Sequence, residues 1–266
     1  MALDFRAGHA TFSQRFGHGG RRALAIHCTL GRSGAWAAMA AHLADDLTIT
    51  AFDKPGHGKS ADWDGTRDFI ALTARIAEGF IDGPVDLIGH SGGAVAALRL
   101  ALAMPEAVRS LTLIEPVLFA AARGFPEWDM FAIGMAPYLQ ALEDDDRETA
   151  ARVFTTVWGS GTPWAEQDAR TRAYVAARIH LIRASFPALA DDNGGLLDEG
   201  GLETLDLPVM LIAGARSPAV IHRINEEIAA RLPDVGVATV DGAGHMLPVT
   251  HPSQVAGLVR VNLERS

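Results

Sequence analysis

Ser91 stands at the centre of Gly89-His90-Ser91-Gly92-Gly93, the five residues of this chain whose types and spacing best suit chemistry. A short apolar run at 85–88 precedes them and a helical pattern at 94–102 follows. A strand that turns at once into a helix makes a bend so tight that the positions two before and two after the serine have no room for side chains. Both are glycine. The bend holds Ser91 in a strained conformation with its hydroxyl raised above the sheet edge, where it can attack a carbonyl. The Gly92 amide, at the start of the following helix, would face the oxyanion that such an attack creates. The plain alternative is a glycine-rich turn with an incidental serine, and the strand–helix setting argues against it.

A serine hydroxyl is a weak nucleophile until a base takes its proton, and histidine is the usual base near neutral pH. The chain has ten histidines. His9, His18 and His42 read as surface or loop residues, and His90 as a packed neighbour of the bend. His245 ends the segment Asp241-Gly242-Ala243-Gly244-His245, directly after the last strand-like run. The two glycines give that loop the freedom to hang an imidazole over a neighbouring strand end.

With Asp53-Lys54-Pro55-Gly56-His57-Gly58-Lys59-Ser60, these motifs resemble the α/β-hydrolase superfamily over essentially the whole chain. The 53–60 segment is similar to the D-x-P-G-H-G-x-S turn of small esterases and lactonases. Its Gly-Lys-Ser ending imitates a phosphate loop, but that loop needs glycine where Asp53 stands, so nucleotide binding is rejected. A nucleophile followed by a late histidine is also the order of this fold.

The resemblance implies an oxyanion loop after the strand at 23–27, where relatives usually carry His-Gly and then a variable residue. Here the segment reads His27-Cys28-Thr29-Leu30-Gly31, with cysteine in the glycine's place. By position, the Thr29 amide is the second oxyanion donor beside Gly92. Cys28 could be read as a nucleophile, yet nothing near it in sequence marks it as activated, and a small buried residue is the better reading. The acid that orients the histidine in most relatives is an Asp after the strand at 209–212, and Ser217 occupies that place. A second placement, as in haloalkane dehalogenases, follows the strand at 111–114, where Glu115 stands. Glu115 is therefore the expected acid. An acid from elsewhere, or a dyad without one, stays open; Asp241 is too close to His245 in sequence to orient it easily.

The elements that must position these residues alternate. Apolar runs at 23–27, 47–52, 85–88, 111–114 and 209–212, with a weaker one at 237–240, predict buried strands. Stripes at Phe69, Leu72, Ile76, Phe80 and at Ile221, Ile224, Ile228, Leu232 predict helices, and Pro252 opens a last one. Such alternation implies an α/β fold with a mostly parallel sheet flanked by helices. Residues 3–7 and 10–16 predict an antiparallel hairpin leading into that sheet. From 117 to 205 no strand pattern occurs, so this stretch is expected to be a helical cap, or lid, inserted into a core made of 1–116 and 206–266. Glu143 to Asp146 read as a solvated helix end rather than a metal site. Arg178, His180 and Arg183 read as solvent-facing charges, with an acidic substrate group as the alternative partner.

Composition narrows the function classes. A formal net charge of −9 argues against a nucleic-acid partner and against a polybasic membrane patch. The single cysteine permits no internal disulfide, no window is apolar enough to span a bilayer, and residues 1–11 do not resemble a signal peptide. A cytoplasmic protein is expected, of undetermined oligomeric state. No H-E-x-x-H, paired cysteines or histidine cluster suggests a metal, and no cofactor is expected. The chain thus reads as a hydrolase of small or medium esters or lactones, acting through an acyl-enzyme. Carbon–carbon hydrolysis and perhydrolysis on the same residues remain open, as does a small-ligand receptor with weak turnover. Serine at the nucleophile position argues against dehalogenase and epoxide hydrolase activity, which use Asp in this superfamily.

Overall fold

The computed structural model describes residues 3–266. Two short strands, β1 (Asp4–Arg6) and β2 (His9–Thr11), pair antiparallel across a turn in which Ala7 and Gly8 take φ of 49° and 74°. They form a ribbon of their own rather than entering the main sheet. The chain then crosses to β3 (Ser13–Phe16), which pairs antiparallel with β5 (Leu47–Phe52) at the sheet edge. The single hairpin expected from 3–16 is therefore two separate pairings, because alternation along one strand does not name its partner.

The remaining strands are β4 (Arg21–Ile26), β6 (Val85–His90), β7 (Val108–Ile114), β8 (Val209–Gly214) and β9 (Val235–Val240). The seven-stranded sheet runs β3-β5-β4-β6-β7-β8-β9, and every pairing beyond β3 is parallel. This is the α/β-hydrolase arrangement. β6 and β8 are buried at every residue; β8 therefore reads as a continuous apolar run, while β6 carries Asp86 within its buried length. Alternate residues serve opposite layers. Leu24, Ile26, Leu87 and Leu211 pack on one face, while Ala23, Ala25, Ile88 and Ile212 pack on the other.

Helices α1 (Ala37–Ala41), α2 (Phe69–Glu78) and α3 (Gly92–Ala103) follow β4, β5 and β6. Asp68 caps α2 by accepting from the Ala71 amide at 2.7 Å. Between β7 and β8 lie α4 (Pro126–Glu143), α5 (Arg147–Trp158), α6 (Ala169–Arg178), α7 (His180–Ala184) and α8 (Phe186–Leu189). The acidic run 143–146 closes α4 and opens α5, with Asp146 accepting from the Thr149 amide at 2.9 Å. Helices α9 (Ala219–Ala229), α10 (Leu247–Thr250) and α11 (Pro252–Leu263) complete the chain. Among the described residues no helix is long and apolar enough to cross a membrane.

Strand β7 begins three residues before the apolar run that foretold it, because Arg109 and Ser110 serve a buried acid. Asp86 is 1% exposed and receives Arg21 at 2.6 Å, Arg109 at 2.7 Å and Ser110 Oγ at 2.8 Å. Burial alone would raise its pKa; these donors outweigh burial and hold it below the usual carboxylate range. The stability so gained is present above the unfolded carboxyl pKa, about 3.9, and is lost as pH falls through the lower folded value. Asp86→Ala strands two half-buried guanidinium groups and should cost about 3 kcal/mol, measurable by urea unfolding.

Candidate active site

The bend after β6 is built by exclusion. A Cβ on Gly89 would fall 2.5 Å from the Ala94 Cα, and one on Gly93 would fall 2.2 Å from the Ile26 carbonyl oxygen. Between them Ser91 sits at φ 58° and ψ −125°, a region that L residues rarely occupy. Its amide donates to the Ile114 carbonyl at 2.9 Å, which ties the bend to the neighbouring strand end.

That strand end continues into Glu115, which is fully buried and has a φ of 52°. Its carboxylate is held on both oxygens. Oε1 accepts from the Gly214 amide at 2.7 Å and from Ser217 Oγ at 2.6 Å. Oε2 faces His245 Nδ1 at 2.9 Å. Ser217, at the position where most relatives carry the acid, donates to the acid on the next strand. Ser217→Ala removes one of three donors to this carboxylate and should lower turnover several-fold, on the basis of about 1 kcal/mol per hydrogen bond.

The His245 loop is fixed from behind and from the side. His90 Nε2 donates to the His245 carbonyl at 2.9 Å, and burial holds the His90 imidazole well below its usual pKa, hence neutral. Trp158 at the end of α5 sets its ring at 89° to His245, with centroids 4.9 Å apart. With Nδ1 donating to Glu115, Nε2 is the nitrogen left free to take a proton.

The loop 27–31 is shaped by two more buried histidines. His27 Nδ1 donates to the Cys28 carbonyl at 2.7 Å, and its Nε2 accepts from the Lys54 amide at 3.0 Å. His57 Nδ1 donates to the Pro55 carbonyl at 2.8 Å, and its Nε2 accepts from the Leu30 amide at 2.9 Å, with Leu30 at φ 71°. Burial depresses both rings well below the usual histidine range. Burial also pushes the Cys28 thiol up to about 11, so it is protonated at neutral pH and unsuited to attack. Asp53 fills its own turn, accepting from the amides of Ser33 at 2.7 Å and Lys59 at 2.8 Å. No phosphate cradle is left there.

Ser91, Gly92, Thr29 and His245 all line one cavity of about 200 Å³. Phe131 and Met135 of α4, and Phe154 and Trp158 of α5, supply much of its remaining wall, and no Asp, Glu, Lys or Arg lines it. Arg178, His180 and Arg183 stay outside it. Arg178 instead lies 3.9 Å over the Tyr174 ring and donates to the Gly56 carbonyl at 2.8 Å. Tyr174 in turn accepts from the Gly58 amide at 3.1 Å and donates to the Gly31 carbonyl at 3.0 Å, joining α6 to two loops of the site. His9, read as a surface residue, is 6% exposed, because its ring bonds the Ala61 carbonyl at 3.1 Å. Among the described residues no three His, Cys, Asp or Glu gather as a metal would require.

The sequence model described as "Alpha/beta hydrolase family" matches residues 18–258. "Lipase LipV" of Mycobacterium tuberculosis is 30% identical over 263 residues, which cover 94% of this chain and 96% of that one. "Pimeloyl-[acyl-carrier protein] methyl ester esterase" of Salmonella paratyphi A is 27% identical, covering 90% of this chain and 93% of the other. Among solved structures, the esterase EaEST from Exiguobacterium antarcticum superposes with a TM-score of 0.77 at 16% identity, covering 99% of both chains. That last likeness speaks to the fold alone.

Proposed function

The chain belongs to the alpha/beta hydrolase family, and we propose that it hydrolyses neutral carboxylic esters with an apolar acyl group through a Ser91 acyl-enzyme. The observation that carries the reading is the 2.9 Å contact between His245 Nδ1 and a fully buried Glu115 carboxylate, in a cavity shared with the strained Ser91. Ser91 Oγ attacks the ester carbonyl carbon as His245 Nε2 takes its proton, and Glu115 stabilises the imidazolium. The amides of Gly92 and Thr29 hold the oxyanion; each such donor is worth roughly 3 kcal/mol of transition-state stabilisation. Collapse of the tetrahedral intermediate expels the alcohol, which takes the proton from His245. Water then gives a proton to His245 and attacks the acyl carbon, releasing the acid and Ser91. Both curated relatives are named for ester hydrolysis, one as a lipase and one as a methyl ester esterase.

The helices of 117–205 serve as the cap over this chemistry, and their aromatic residues form the acyl site. A wall without charged groups favours neutral, apolar chains, since an unpaired carboxylate buried there would be costly. Each methylene that finds room should raise kcat/KM about fourfold, from ~0.8 kcal/mol per buried CH2. A p-nitrophenyl ester series from acetate upward, with a dicarboxylic half-ester beside it, tests this. A rising limb and a poor half-ester are expected; a flat series, or a preferred half-ester, overturns the apolar acyl site. Rapid labelling by a fluorophosphonate, absent in Ser91→Ala, is expected as well. An unlabelled parent protein would sink the enzyme reading itself.

A further inference from the structure

The reaction as written gives no role to Lys54 of the 53–60 turn, and its surroundings are unusual. It is fully buried, and among the described residues its ammonium pairs with no carboxylate. Lysines almost never lie fully buried without a partner. Its Nζ donates to Thr29 Oγ1 at 3.0 Å and lies 5.3 Å from the centre of the Phe69 ring. Both hydrogen-bonded atoms sit beneath the oxyanion side of the bend. A Cβ built on Gly92 would meet Thr29 Oγ1 at 3.1 Å and Lys54 Nζ at 3.9 Å. Thr29 reaches the cavity; Lys54 does not.

We propose that Lys54 and Thr29 act in series as a third oxyanion donor, Lys54 positioning the Thr29 hydroxyl and Thr29 touching the substrate. An ammonium has only donors, so Thr29 Oγ1 must accept from it. The hydroxyl hydrogen is then free for another acceptor, and the acceptor that appears in this cavity is the negatively charged oxygen of the tetrahedral intermediate. A cation one hydrogen bond behind that hydroxyl, and so two from the oxyanion, is shielded from water and strengthens the donor most when the charge develops. Lys54 is a positioning residue in this scheme. The inference rests on the ester-hydrolysis reading, and it concerns how the oxyanion is held rather than whether Ser91 attacks.

The buried groups around Lys54 make it the cation of the cluster. His27, His57 and His90 are held neutral by burial, and the Cys28 thiol is held protonated. The Asp53 carboxylate is turned to the amides of Ser33 and Lys59. Burial brings Lys54 itself down to about 7. Its proton is therefore present on the acid side of neutrality and is lost as pH rises through that value, so its contribution fades toward alkaline pH.

The test uses Lys54→Met, Thr29→Val, Thr29→Ser and the Met/Val double variant of the full chain, with kcat and KM measured across pH. Lys54→Met and Thr29→Val should each lower kcat on the order of 10- to 100-fold, with KM within about twofold. The double variant should be no slower than the worse single, because the two act in series. Thr29→Ser keeps a hydroxyl and should lose far less than Thr29→Val. The alkaline fall in kcat/KM of the parent should vanish in Lys54→Met, and that variant should melt at or above the parent temperature, since it no longer buries an unpaired ammonium. Multiplicative losses in the double variant, an unchanged kcat in Lys54→Met, or a loss there accompanied by a lower melting temperature with Thr29→Val unaffected would each overturn the relay. Should the parent itself fail to turn over esters, the underlying reading fails instead, which separates the two.

Discussion

Ser91→Ala is expected to fold as the parent does and to turn over esters roughly a millionfold more slowly, the loss seen when one member of a cooperating triad is removed. The folding half of this expectation follows from what shapes the bend. Its geometry depends on the backbone bond from the Ser91 amide to Ile114 and on the space left by Gly89 and Gly93, none of which involves the hydroxyl. Alanine carries the same Cβ penalty at φ 58°, so the strain is unchanged. Ser91→Gly removes that penalty, on the order of 1 kcal/mol or more, and should be more stable while equally inactive. Some rate remains in either variant, because the oxyanion donors and the cavity still favour the transition state over water. The measurements are a steady-state rate with an active-site titration to exclude contaminating parent, and a thermal melt. A variant within tenfold of the parent rate removes Ser91 as nucleophile.

How much of this could be read beforehand differs from residue to residue, for physical reasons. The bend at 89–93 was legible because its glycines answer a steric demand that any strand-to-helix turn of this kind makes. His245 stood out by its flexible loop and late position, and Glu115 by standing at a strand end beside a strand whose usual acid was missing. In the structure these two lie in direct contact. What stayed hidden are residues whose role depends on a partner far away in sequence. Ser217 reads as a vacancy, yet its hydroxyl is one of the donors that lock Glu115. His27 and His57 stand in motifs that resemble the family's, but nothing in those motifs tells that each is a fixed strut with one nitrogen donating and one accepting. Tyr174 and Trp158 lie in helices whose position over the sheet no local pattern supplies. Lys54 gave no local signal either, because its partners, a threonine hydroxyl and an aromatic ring, stand 25 and 15 residues away in the chain.

Glu115→Gln is expected to lower kcat by about ten-thousandfold while leaving the fold intact, comparable in size to the amide replacement of the acid in serine-protease triads. The direction of the existing hydrogen bonds decides how the amide must sit. Two donors, the Gly214 amide and Ser217 Oγ, converge on Oε1 at 2.7 and 2.6 Å, so the glutamine oxygen has to occupy that position. Its NH2 group is thereby turned toward His245 Nδ1, where the parent has an acceptor at 2.9 Å. A donor there requires Nδ1 to accept, which moves the ring proton to Nε2, and a protonated Nε2 cannot serve as base toward Ser91. Reversing the amide to save the histidine would set its NH2 against two donors in a site with no exposure to water. The variant is therefore held in the wrong tautomer by bonds that the substitution does not touch. Ser217→Ala in the Gln background weakens that hold, since one donor to the amide oxygen is gone, and should recover a small part of the loss. Histidine ring-nitrogen chemical shifts of the two proteins read the tautomer directly, and steady-state rates read its consequence. A Glu115→Gln variant with near-parent kcat, or one whose His245 keeps its proton on Nδ1, would take the orienting role away from Glu115 and leave Ser91 and His245 in need of another acid.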